Sequence, residues 1–328
     1  MFIRRTMTRG EERLNAKVLA VVPGIATLYL AEPPGGRGAF EFVDAVDPGT
    51  PREDKWVVMI STQYGCAVGC RICDAGLAGY GGNIEADLLL AQIRAALASY
   101  PGLDPARVPK LKVHFARMGE PSFNPGVLEC LARLAREGVG KGPLPGLLPS
   151  ISTVAPACSV SRDFMERLAR IKEEAFGNGS FQLQFSLHST DEEARRAIIP
   201  IRTWSFQEIA RYGERWFRPG DRRISLNFAL ASGSPFDPAA LAREFSPERF
   251  LVKFTPVNPT SRADKNALTR VWLEAPEQIV RFKEELERRG FRAIVNPAWP
   301  EEIEGRVTCG QLVAAAIQGR SKEAAVPA

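Results

Sequence analysis

Histidine is nearly missing from this chain: His114 and His188 are the only two in 328 residues. No run of about 18 apolar residues occurs either, so no segment reads as a membrane-spanning helix. The opening residues, Met1-Phe-Ile-Arg-Arg-Thr6, lack an apolar signal core, and the expected location is the cytoplasm. There is no block of one charge sign. A net charge of +5 and a pI of 8.9 arise from basic residues interleaved with acids. Such a surface permits an anionic partner without requiring nucleic acid. At 45% hydrophobic and 25% charged residues, the composition is that of a globular protein with one large α/β barrel or two modest domains.

Cysteine is concentrated instead. Three of six lie in Cys66-Ala-Val-Gly-Cys70-Arg-Ile-Cys73, a C-x₃-C-x₂-C array after the apolar run Trp56-Val-Val-Met-Ile60. Thiolates are the usual protein ligands of a four-iron cluster, so three of them leave one iron open for a small molecule. The alternatives are a zinc knot, which wants a fourth Cys or His that does not follow nearby, or buried free thiols. Clustered thiols without an export signal favour a reducing compartment and metal binding over disulfides.

Residues 1–55 read as a small β accessory segment. Lys17–Val22, Ala26–Leu30 and Ala39–Val43 are short strand-like runs, and Asp47-Pro-Gly-Thr-Pro51 marks a boundary. Residues 56–320 form the core with a Cys-bearing C-terminal extension, and 321–328 a loose tail. Apolar runs at 56–60, 111–116, 150–154, 181–187, 223–230, 250–256 and 291–295 predict strands with helices between them. In 85–100, Leu89, Ile93 and Leu97 make one buried helical face. Asn124-Pro125 and Ser189-Thr-Asp-Glu-Glu193 are helix starts. Repeated βα units imply a parallel sheet. No Gly-rich phosphate turn follows the first strand, which favours a partial (β/α)6-type barrel over two Rossmann halves.

Loops after barrel strands build active sites, and the unusual residues fall there: the cysteines, then Met118-Gly-Glu120-Pro121, Ser152-Thr153, Ser186-Leu-His188, Asn258-Pro259 and Cys309-Gly-Gln311, with Asn227 inside the fifth strand. An open iron can chelate an amino acid through its amine and carboxylate. Glu120 could accept hydrogen bonds from that ammonium, while Ser152, Ser186 and Asn258 could hold a carboxylate or ribose. His188 reads equally as a site or a structural residue. His114, mid-strand, reads as a core or sheet-face histidine.

Taken in order, these motifs resemble the radical S-adenosylmethionine (SAM) enzymes, and more closely the RNA adenosine methyltransferases RlmN and Cfr. Ser61-Thr-Gln-Tyr-Gly-Cys66, Met118-Gly-Glu-Pro121, Ser152-Thr-Val, Ser186-Leu-His188, Ile198-Ile-Pro-Ile201, Pro256-Val-Asn-Pro259 and Cys309-Gly-Gln-Leu312 all have collinear counterparts, over about residues 56–316. The resemblance implies a [4Fe–4S] cluster on Cys66, Cys70 and Cys73. It implies SAM contacts at Glu120, Ser152, Ser186, His188 and Asn258, and a methyl-carrying Cys309. An electron donor such as flavodoxin or ferredoxin would serve the cluster.

Two departures accompany the resemblance. The family's second cysteine, seven residues before the cluster, is Met59 here, which cannot form a disulfide. Cys158 is the candidate replacement thiol, and Cys130 reads as a small buried hydrophobe. Only about 55 residues precede the core, too few for the family's helical RNA-binding domain. The approach to Cys309 carries Glu301, Glu302 and Glu304, poorly suited to phosphates, and Trp299, which could stack on an aromatic substrate. The expected acceptor is therefore a small-molecule, nucleoside-like or peptide substrate. RNA, or direct hydrogen abstraction without methyl transfer, is the alternative.

Overall fold

Alternation of buried and partly buried side chains, as along Trp56–Ile60, Leu111–Phe115 and Gln182–Ser186, gives the sheet two different faces. The computed structural model describes residues 14–312 except 36, 48, 141, 232–233 and 269–274. Its main sheet has ten strands in the order β1-β2-β3-β4-β7-β8-β9-β10-β11-β12. β1 (Ala16–Val22), β2 (Ala26–Ala31) and β3 (Phe40–Ala45) form an antiparallel meander that pairs with β4 (Trp56–Ile60). From β4 the sheet is parallel through β7 (Leu111–Phe115), β8 (Leu147–Thr153), β9 (Gln182–Ser186), β10 (Ile224–Leu230), β11 (Phe250–Pro256) and β12 (Ala293–Val295). All seven runs expected as core strands are present. The accessory strands extend the same sheet.

Parallel strands need crossovers, and helices supply them. Among these, α1 (Ala86–Ala98) follows the cysteine loop, α2 (Pro125–Glu137) follows β7, α3 (Ser159–Ala175) follows β8 and α4 (Glu192–Ile198) follows β9. Leu111, Val113 and Phe115 are fully buried in the cluster that also takes in Leu89, Ile93 and Leu131 of these helices. The intervening Lys112 and His114 face the other way, into the barrel, where they are only partly buried. Asn124 is an N-cap, as expected: its Oδ1 accepts from the Gly126 amide at 2.9 Å. Its Nδ2 also donates to the Thr62 and Ile84 carbonyls, tying α2 to the strand-end loop. At the next start Asp191 is the cap, accepting from the Ala194 amide. Cys130 is fully buried on α2.

A two-stranded ribbon, β5 (Gln63–Gly65) with β6 (Tyr80–Asn83), frames the cysteine loop and had no counterpart among the expected strands. Helices α5 (Phe206–Trp216), α6 (Pro238–Glu244), α7 (Ser261–Lys265) and α8 (Pro276–Arg288) come next among the described residues, and after β12, α9 (Pro300–Glu304) leads to Cys309. Val307 packs with Val22, Ala26, Leu28, Val43 and Ala45, so the segment leading to Cys309 lies against the accessory strands. The expected tail, 321–328, and the last part of the C-terminal extension lie outside the described residues.

Candidate active site

The loop between β5 and β6 holds Cys66, Cys70 and Cys73, each partly buried. Backbone bonds set its shape: the Cys66 amide donates to Gly79 O, the Arg71 amide to Ile198 O and the Cys73 amide to Cys70 O. Asp74 accepts from the Ser261 and Arg262 amides, and Thr260 Oγ1 donates to Ile72 O. Burial pushes all three thiols up, and for Cys70 the charges of Cys66 and Cys73 add to the effect. Among the described residues no set of three His, Cys, Asp or Glu closes to the spacing of a single ion. A multi-iron cluster holds its thiolates farther apart and supplies the positive charge that buried thiolates need, so the donor set fits it.

Gly119 brings the second motif against this loop. Its φ of +103° is one that L side chains avoid, and a Cβ there would sit 2.6 Å from Thr62 Oγ1. The next residue, Glu120, is buried, and burial raises its carboxyl while hydrogen bonds lower it. Oε1 accepts from Thr153 Oγ1 and the Ser122 amide, and Oε2 from the Val154 amide at 2.9 Å. A carboxylate has about four acceptor positions, so one remains for an ammonium group.

Cys309 comes to the same place. After burial, its charge is the largest influence raising the Cys73 thiol. The Asp74 amide donates to Gly310 O at 3.0 Å, and Asn258 Nδ2 donates to Cys309 O at 2.8 Å. Solvent reaches the residue, although the protein around it still desolvates the thiol. Burial raises its thiol, with Arg117 and Lys253 pulling the other way.

No family model matches the sequence. It is 29% identical over 279 residues to a probable dual-specificity RNA methyltransferase RlmN from Acidothermus cellulolyticus, covering 81% of this chain and 60% of that protein. A protein of the same designation from Parafrankia sp. is 32% identical, with 78% and 65% covered. Among solved structures, a radical SAM methyltransferase from Sphaerobacter thermophilus has the same fold at a TM-score of 0.70 and 24% identity, covering 92% of this chain and 82% of that one. The chain is similar in sequence to RlmN RNA methyltransferases and in fold to a radical SAM methyltransferase. It spans about three-fifths of the length of the first of these curated relatives.

Beyond the RlmN-like motifs, Arg117 was not singled out from the sequence. It is buried and ion-pairs with buried Glu41 at 2.8 Å. Its guanidinium also donates to the carbonyls of Arg306, Val307, Thr308 and Gln311, gathering the loop that carries Cys309. A charge at the end of an apolar strand, directly before Met118, was the available signal.

The other expected residues divide. Asn258 Oδ1 is buried without a partner among the described residues, and no hydrogen bond engages the Ser186 hydroxyl there; both are free for a ligand. Ser152 lies in the barrel, held by His114 at 2.8 Å and Gln184 at 3.0 Å. His188, at φ +66°, accepts through Nδ1 from the Ala229 amide. Burial and the Arg195 charge lower it to about 4, so the ring is neutral and ties β9 to β10. Cys158 is exposed at the N-cap of α3; the thiol drawn to the cysteine loop is Cys309. Met59 packs against the Val307 cluster, and Trp299 is exposed before α9.

Proposed function

We propose that this protein is a radical SAM methyltransferase that carries a SAM-derived carbon on Cys309. The observation that carries the reading is the Cys309 loop lying against the cysteine loop, with the Asp74 amide donating to Gly310 O at 3.0 Å, in a segment that Arg117 holds from inside the fold. Cys66, Cys70 and Cys73 would hold the [4Fe–4S] cluster, which supplies the electron that splits SAM into methionine and a 5′-deoxyadenosyl radical. Glu120 would accept from the SAM ammonium through its remaining position, Asn258 Oδ1 would accept from a ribose hydroxyl, and the Ser186 hydroxyl would donate to the SAM carboxylate. Cys309 loses its proton and attacks the SAM methyl group, forming an S–CH₃ bond as S-adenosylhomocysteine leaves. Arg117 and Lys253 favour the thiolate this requires.

The curated relatives are named for RNA methylation, which makes an RNA base the favoured acceptor and a nucleoside-like small molecule or peptide the alternative. Flavodoxin or ferredoxin would be the electron donor. No helix of the described residues is long and apolar enough to cross a membrane. Since position 59 is a thioether, product release does not run through a disulfide at that residue.

Anaerobically reconstituted protein incubated with SAM should show a methyl group on Cys309 by peptide mass spectrometry, absent in Cys309→Ala. It should also form 5′-deoxyadenosine when a reductant is added. Turnover with Cys309 unmethylated throughout would remove the carrier role.

A further inference from the structure

The cysteine loop is gripped by an element that the methyl-transfer chemistry leaves unused. Just past Asn258, Thr260 and the short helix α7 lie against the loop and take up its polar groups in turn. The Gly69 carbonyl accepts from Arg262 Nη2 at 3.0 Å, and the Ile72 carbonyl from Thr260 Oγ1 at 3.1 Å. The Arg71 carbonyl accepts from Asn266 Nδ2 at 3.3 Å. With Cys70 O taken by the Cys73 amide, the successive carbonyls from Gly69 to Ile72 are all engaged. Asp74 closes the series by accepting from the Ser261 and Arg262 amides.

Arg262 differs from the other members of this set because it brings a charge. Its guanidinium reaches between Gly69 and Gly76. A Cβ at Gly76 would lie 2.9 Å from Nη1 and 2.8 Å from Gly69 Cα, so glycine there leaves the arginine its room. The cation is thereby fixed beside the residue that precedes Cys70 and the third residue after Cys73. Asp74, the carboxylate of the same loop, is engaged by backbone amides, and Arg262 Nε is buried without a partner. No ion pair among the described residues takes up the charge. Arginine stays protonated at any working pH, and a half-buried cation is screened less than one in open water.

Three thiolates make the cluster site negative, and reduction adds an electron to it. A fixed cation at its edge favours the reduced state, while hydrogen bonds from outside the ligand set fix the geometry of the ligands. We propose that Arg262 is a positioning residue for the [4Fe–4S] cluster: it holds the loop that carries Cys70 and Cys73, and its charge raises the cluster's reduction potential. This rests on the cluster within the methyltransferase reading and deepens it, naming a residue outside the cysteine motif that eases the electron transfer on which SAM cleavage depends.

The test is an anaerobic redox titration of the reconstituted full chain, followed by electron paramagnetic resonance, in wild type, Arg262→Met and Arg262→Lys. Arg262→Met should make the cluster about tenfold harder to reduce, a fall of about 59 mV for one electron. Arg262→Lys keeps the charge and should stay within about threefold of wild type. A wild-type potential in Arg262→Met would overturn the proposal, as would a fall in Arg262→Lys as large as that in Arg262→Met. Should Arg262→Met not retain the cluster, hydrogen exchange of the cluster-free protein reads the positioning role. Amides 66–76 exchanging about tenfold faster, with the sheet amides unchanged, would support it; unchanged protection of the loop would overturn it. Iron and sulfide absent from reconstituted wild type would defeat the cluster and the methyltransferase reading together, whereas a cluster of unaltered potential in both variants defeats only the role of Arg262.

Discussion

Arg117 does at the scale of one residue what a metal or disulfide does in other chain ends. Four loop carbonyls and the Glu41 carboxylate converge on its guanidinium in a buried setting. Removing it breaks the buried ion pair with Glu41 and frees four loop carbonyls, so Arg117→Met should lower stability by about 3–5 kcal/mol in urea unfolding. A loss under 1 kcal/mol would show that the loop is held by other means. Lys112 has the opposite character. Burial and the cations around it lower its ammonium from 10.5 to about 7. Below that value it is charged in both states and the folded state carries the cost. Between about 7 and 10.5 the unfolded chain holds a proton the folded chain has lost, so stability from this group rises with pH. Lys112→Met should therefore exceed wild type by about 1–3 kcal/mol at pH 6 in the absence of ligand, with the gap narrowing by pH 9. A pH-independent gap would contradict the assignment.

Elements translate these residues into a site. Gly119 joins β7 to the Glu120 turn at φ +103°, with Thr62 Oγ1 and the Gln63 side chain where a Cβ would go. Gly119→Ala combines strain with a clash and should cost about 2–4 kcal/mol. It should also displace Glu120, read as weaker SAM binding; unchanged affinity would separate the turn from the site. The seven core strands were legible because each is a short apolar run bounded by turn residues, as with Val113 and Phe115 around Lys112 and His114. The third began earlier than expected, at Leu147 rather than 150, since its leading Leu-Leu-Pro resembles loop sequence. The β5–β6 ribbon was not legible. Its strands, Gln63–Gly65 and Tyr80–Asn83, are too short and glycine-rich to show a period.

Over the whole molecule, the accessory strands are integral to the inner face. They supply Glu41 to Arg117 and Val22, Leu28 and Val43 to the cluster that covers Met59 and Val307. We therefore expect a chain lacking residues 1–55 to lose its cooperative thermal transition and to aggregate, while the full chain melts cooperatively. A soluble, cooperatively folding truncation would show that the segment is dispensable. The sequence by itself determined the parallel α/β core and the order of its motifs, because strand periodicity, cap residues and cysteine spacing are local properties. It also determined that position 59 carries a thioether. Tertiary structure decided what meets: the Cys309 loop against the cysteine loop at Asp74, and Arg117 beneath the Cys309 loop. Those pairings join positions as many as 236 residues apart, as between Asp74 and Gly310. Only the curvature of the sheet and the return of residues 306–311 to it bring them within reach, and no local pattern encodes that distance.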